Sequence, residues 1–91
     1  MPRLRIKNGP SKGMTFDIAD QPLSIGRDPT CGIQVMDKGA SRNHSEVFRI
    51  GEMYFIRDLE SRNGTFINDN KLDEELLREG DRIQIGATIL V

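Results

Sequence analysis

Several things are scarce in this chain, and each scarcity closes a door. There is no tryptophan, one tyrosine and four phenylalanines in 91 residues, so the aromatic platforms on which nucleobases stack are missing. Net charge is −1, which supplies no broad basic field for nucleic acid or for a membrane surface. Cys31 is the only cysteine and His44 the only histidine. No internal disulfide can form, a reducing compartment is tolerated, and no His/Cys pair has metal-ligand spacing. No apolar run approaches the roughly 20 residues a bilayer-spanning helix needs. The N-terminus opens directly on alternation at Met1-Pro2-Arg3-Leu4-Arg5 and lacks the apolar core of a secretory signal. An intracellular, cytoplasmic location follows as the expectation, with no membrane and no nucleic acid among the partners, no cofactor and no metal.

What is present is short alternation broken by turn chemistry. The length predicts one domain over residues 1–91. Arg3–Lys7, Met14–Ile18, Leu23–Ile25, Ile33–Val35, Asp81–Gly86 and Thr88–Val91 read as strands. Glu46–Ile50 and Met53–Arg57 read as a hairpin about Gly51-Glu52. Asp73–Glu79 has a helical composition but is only about two turns long, too short to hold alone, and reads as loop plus a short strand. Ten or so short strands at this spacing predict an all-β sandwich of two twisted sheets. Val91 ends inside an apolar run, as a chain excised from a longer protein would.

The chemistry gathers in three arginine-bearing loops: Gly26-Arg27-Asp28-Pro29, Ser41-Arg42-Asn43-His44 and Ser61-Arg62-Asn63-Gly64-Thr65. Asn63-Gly64 is a strong tight-turn signal lying between two apolar runs. Guanidinium, hydroxyl and carboxamide groups on loops held by strands predict an anion site. The acids cluster elsewhere: Asp69 to Asp81 holds six acids against Lys71 and Arg78. Two other chemistries fail on pattern. Gly9-Pro10-Ser11-Lys12-Gly13 puts the lysine before the glycine and is followed by a strand, unlike a phosphate-cradling P-loop. Ser41 and His44 lack the strand–turn–helix elbow of a hydrolase.

Together these residues resemble the forkhead-associated (FHA) domain signature. The resemblance is carried by Gly26-Arg27, Ser41-Arg42-Asn43-His44, Asp58-Leu59-Glu60-Ser61-Arg62-Asn63-Gly64-Thr65 and Asn68. Gly9–Gly13 before Phe16 resembles the family's first turn, and Gly80–Gly86 its late strand. The resemblance implies a sandwich of about eleven strands that reads phosphothreonine peptides with loops at one end, without catalysis, in Ser/Thr-kinase signalling. FHA domains are among the phospho-motif readers.

It implies Arg27 as the main phosphate arginine and Ser41 as the second phosphate ligand. Asn63 would read the peptide main chain. Arg62 stands where some members offer a hydroxyl and would supply charge instead. Arg42 is open between phosphate, an acidic peptide residue and solvent. His44 is implied to be architectural, Gly26 and Gly64 to serve the backbone, and Thr65 and Asn68 to fix the loop. Gly39 departs from relatives that carry a basic residue two positions before the serine. A phosphothreonine-bearing protein is the implied partner of a monomeric domain. The alternative is an FHA-type scaffold that docks on a protein without needing phosphate.

Overall fold

The computed structural model describes residues 2–91. The strands are short, and in several the burial alternates as the sequence does. Ile83-Gln84-Ile85 and Thr88-Ile89-Leu90 each bury their outer two residues and leave the middle one half-exposed. Eleven strands result: β1 (Arg3–Arg5), β2 (Thr15–Asp17), β3 (Leu23–Gly26), β4 (Ile33–Gln34), β5 (Ser45–Ile50), β6 (Met53–Asp58), β7 (Thr65–Ile67), β8 (Asn70–Leu72), β9 (Glu74–Leu77), β10 (Ile83–Ile85) and β11 (Thr88–Leu90). The all-β prediction holds. The helix-like stretch is strand β9, which pairs antiparallel with β6 from Tyr54–Leu77 to Arg57–Glu74.

One sheet runs β4-β3-β5-β6-β9, and a second runs β11-β10-β7-β8. The β1-β2 ribbon extends the second sheet. Ile6 bridges Leu90, and Arg5 and Val91 exchange backbone hydrogen bonds of 2.8 and 2.9 Å. Between the sheets lies an aliphatic core that includes Ile6, Ile25, Ile33, Val47, Ile56, Ile83, Ile85 and Leu90. Each such side chain removed from water contributes about 1.5–3 kcal/mol.

The β5–β6 hairpin forms about Gly51 as predicted, with Ile50 opposite Met53. The Asn63-Gly64 segment lies between two strands, as the sequence reading has it. It joins no hairpin, because β6 and β7 lie in different sheets, so residues 59–64 cross from one layer to the other. A tight two-residue hairpin turn follows at Asn68-Asp69, between β7 and β8. Both residues have positive φ, 47° and 71°, as a type I′ turn requires.

These registers place β3's end, β5's start, β6's end, β7's start and the β10–β11 turn at one pole. The β5–β6 tip, Pro2 and Val91 lie at the other. Among the described residues no helix is long and apolar enough to cross a membrane.

Candidate functional site

The site begins at Gly26, the last residue of β3. A Cβ there would stand 2.0 Å from the Arg42 carbonyl oxygen and 3.1 Å from the Cys31 sulfur. Only glycine lets the two loops close on one another. They then zip together: Arg27 N–H donates to Ser41 O at 3.0 Å, Asp28 N–H to Arg42 O at 3.1 Å, and His44 N–H to Ile25 O at 2.9 Å.

Arg27 is exposed, and its Nε–H donates to the Ala40 carbonyl at 3.0 Å. That bond fixes the plane of the guanidinium and leaves both terminal nitrogens without a partner among the described residues. The Ser41 hydroxyl oxygen accepts the Arg62 N–H at 3.0 Å, so its own proton is free to donate. Asn63 Nδ2 donates to Gly39 O at 3.0 Å, which leaves the amide oxygen and one N–H for another chain. Three separate connections therefore present fork, hydroxyl and carboxamide on one rim.

The three loop arginines are not equivalent. Arg42 pairs with Asp28 at 2.9 Å. The Asp28 carboxyl is lowered to about 2 by the Thr30 N–H, the Thr30 hydroxyl and Arg42, so it stays charged to hold that arginine. Neither Arg27 nor Arg62 has a carboxylate within 4.0 Å among the described residues.

Beneath the rim, His44 is wholly buried. Its Nδ1 accepts the Ser41 N–H at 3.0 Å. Nε2 must then carry the ring proton, which it donates to Gly64 O at 2.8 Å. One neutral ring thus ties the second loop to the third. The imidazole meets the backbone of Ser41 rather than its hydroxyl, which is the wrong contact for activating a nucleophile. Gly64 adopts φ +87°, and a Cβ there would press 3.0 Å from Lys71 Cε. Thr65 is buried and donates to Asp58 Oδ1 at 2.7 Å. Asn68 structures a turn, donating to Asp81 and accepting from Arg82 N–H. It does so at the far end of β7, away from the rim.

Two aspartates carry more of this site than their sequence positions announce. Asp58 accepts the Ser61 N–H at 3.0 Å, the Ser61 hydroxyl at 2.5 Å and the Thr65 hydroxyl, while Ser61 Oγ accepts Gly64 N–H. Asp37 binds Gly39 N–H, Ala87 N–H and the Thr88 hydroxyl at 2.8–2.9 Å. An aspartate two or three residues before the group it caps is the only local signal for either. Gly39 also gains a reason: a Cβ on it would lie 2.9 Å from Gly86 Cα, so a longer residue has no room.

Burial alone would raise both carboxyls. The hydrogen bonds from Ser61 and Thr65 at Asp58, and from Gly39, Thr88 and Ala87 at Asp37, outweigh it and hold both below the ordinary 3.8. A folded value below the unfolded one stabilises the fold fully above about pH 4 and is lost as pH falls through the folded value. The urea midpoint is therefore expected to drop below about pH 4. The drop should be shallower in Asp58→Asn, which is weaker at neutral pH. A midpoint equally pH-dependent in both proteins would contradict this.

A concavity of about 600 Å³ between Pro2, Leu4, Tyr54, Leu77 and Val91 lies at the opposite pole. It shares no residue with the loops. A two-sheet sandwich whose loops bring unpaired guanidinium, hydroxyl and amide groups to one rim has the donor set that an anion requires.

The FHA domain family profile matches residues 23–86, and the chain belongs to that family. It is 38% identical over 88 residues to the oxoglutarate dehydrogenase inhibitor of Corynebacterium jeikeium, covering 97% of this chain and 61% of that protein. It is 39% identical over 89 residues to the glycogen accumulation regulator GarA of Mycolicibacterium smegmatis, covering 97% and 56%. It thus spans roughly three-fifths of the length of these curated relatives. Among solved structures, the FhaA FHA domain, complexed with an intracellular domain of another protein, superposes with a TM-score of 0.90 at 30% identity, covering 98% and 96% of the two chains. A domain studied for phosphothreonine-dependent FHA interactions gives 0.91 at 30% identity, covering 98% and 91%.

Proposed function

We propose that this domain is a non-catalytic module that binds phosphothreonine-containing segments of other proteins in Ser/Thr-kinase signalling, in the cytoplasm and as a monomer. The observation that carries the reading is the rim itself. Arg27 and Arg62 lack carboxylate partners, the Ser41 proton is free beside them, and Asn63 has unused donor and acceptor capacity.

A phosphothreonine brings about −1.5 to −2 charges and three acceptor oxygens. Arg27 meets two of them with its planar fork, Ser41 donates to one, and Arg62 adds charge. Asn63 bonds the ligand backbone next to the phosphorylated residue. Arg42, held by Asp28, serves the loop and only borders the phosphate. Gly26, His44, Gly64 and Thr65 hold the loops in place, and Asn68 does so for the β7–β8 turn.

The test is a degenerate phosphothreonine peptide library and its unphosphorylated counterpart. Charge-assisted hydrogen bonds contribute about 1.5–3 kcal/mol each, so the selected phosphopeptide should bind at least about a hundredfold tighter than its unphosphorylated form. Equal affinities would sink the reading. They would favour the alternative, an FHA-type scaffold that docks on a protein without needing phosphate.

A further inference from the structure

We propose that Asp37 is a positioning residue for Asn63, acting through the Gly39–Ala40 peptide and not on the phosphate end of the site. The proposal rests on the phosphopeptide reading above. Asp37 has both carboxylate oxygens in use: Oδ1 accepts Gly39 N–H at 2.8 Å, and Oδ2 accepts Ala87 N–H at 2.9 Å and the Thr88 hydroxyl at 2.8 Å. Ala87 lies in the β10–β11 turn and Thr88 opens β11. The carboxylate thus clamps the second loop to a sheet 50 residues away in sequence. The fit has no slack, since a Cβ on Gly86 would lie 2.5 Å from Asp37 Oδ1.

The same turn orients one particular peptide group. Ala40 N–H donates to the Asp37 carbonyl at 3.0 Å, and the Gly39 carbonyl in that same peptide unit accepts Asn63 Nδ2 at 3.0 Å. Asp37 therefore fixes both ends of Gly39, whose carbonyl sets the roll of the Asn63 carboxamide. The next peptide unit is pinned differently. Its N–H, that of Ser41, goes to His44 Nδ1, and its carbonyl, that of Ala40, holds Arg27 Nε. Two adjacent peptides thus carry two separate anchors. Asp37 governs the one for the ligand main chain, and His44 the one for the phosphate arginine.

A mere staple between loop and turn would weaken everything at the rim alike. A positioning role predicts selective coupling, which a double-mutant cycle measures. The probes are the tightest phosphothreonine peptide from the library and phenyl phosphate, which has an anion but no peptide backbone. Asp37→Asn should weaken the peptide about tenfold, yet cost less than about twofold once Asn63 is already alanine. Phenyl phosphate, followed by NMR shifts, should bind both proteins alike. An equal loss in the Asn63→Ala background, or an equal loss for phenyl phosphate, overturns the proposal.

Should Asp37→Asn not fold, Thr88→Val removes one donor and runs through the same cycle with a smaller effect. The phosphopeptide reading is judged separately, by whether wild type prefers the phosphorylated peptide. Wild type without that preference overturns both.

Discussion

Arg27→Ala is expected to lose phosphopeptide binding by about a hundredfold or more, while the domain stays folded. Truncating one side of a charged, hydrogen-bonded pair costs about 2–5 kcal/mol at an interface, and each 1.4 kcal/mol is tenfold in affinity. The fold loses little, because the side chain is exposed and makes one bond, to Ala40 O. One such bond contributes about 1 kcal/mol, or about 4–8 °C in a domain this size. Arg27→Lys should recover only a fraction of the binding: it keeps the charge but loses the fork and the Nε–H that orients it. Calorimetric titration with the selected phosphopeptide, beside a thermal melt, reads both effects. Binding of Arg27→Ala within twofold of wild type would remove this arginine from the site.

His44→Ala should do the opposite, striking stability first. The ring is wholly buried and satisfies the Ser41 N–H and the Gly64 carbonyl. Removing it orphans the buried Gly64 carbonyl and the part-buried Ser41 N–H, at about 1–3 kcal/mol for a buried group, and opens a cavity besides. A total near 3–5 kcal/mol would lower the melting temperature by about 15–30 °C, a large part of the 5–15 kcal/mol that holds a typical domain together. Phosphopeptide affinity should fall as well, measured well below the melt, because the Ser41 peptide then no longer steadies Arg27. A melting temperature within about 3 °C of wild type would mean the ring bridges nothing.

The sequence was most legible where its signals are local. Two strand-like runs flanking Gly51-Glu52 announced the β5–β6 hairpin, and Asp81–Val91 announced the closing pair. Glu-Leu-rich Glu74–Leu77 was readable as a strand only because it is too short to stand as a helix. Layer assignment was less visible. Asn63-Gly64 has the dipeptide of a hairpin turn, yet the flanking strands lie in different sheets, β6 between β5 and β9 and β7 between β10 and β8. The β7–β8 hairpin turn, Asn68-Asp69, lacks a glycine.

At the site, residue types and motif order located Arg27, Ser41, His44 and Asn63 on the loops. What they bond to was hidden, because most partners are backbone groups such as Ala40 O, Gly39 O and Arg62 N–H. Arg42's engagement with Asp28 and the clamp from Asp37 to Thr88 span 14 and 51 residues. No spacing rule reaches that far.

The backbone bonds between Arg5 and Val91 have a practical meaning. They set entry and exit of the polypeptide side by side, with the whole thickness of the sandwich between them and the ligand rim. Such a unit can be grafted into an exposed turn of a host protein, or strung between two neighbours, and still offer its loops unobstructed. For anyone building a phosphorylation sensor from it, the fluorophores belong on these two adjacent ends, where a label costs the binding surface nothing.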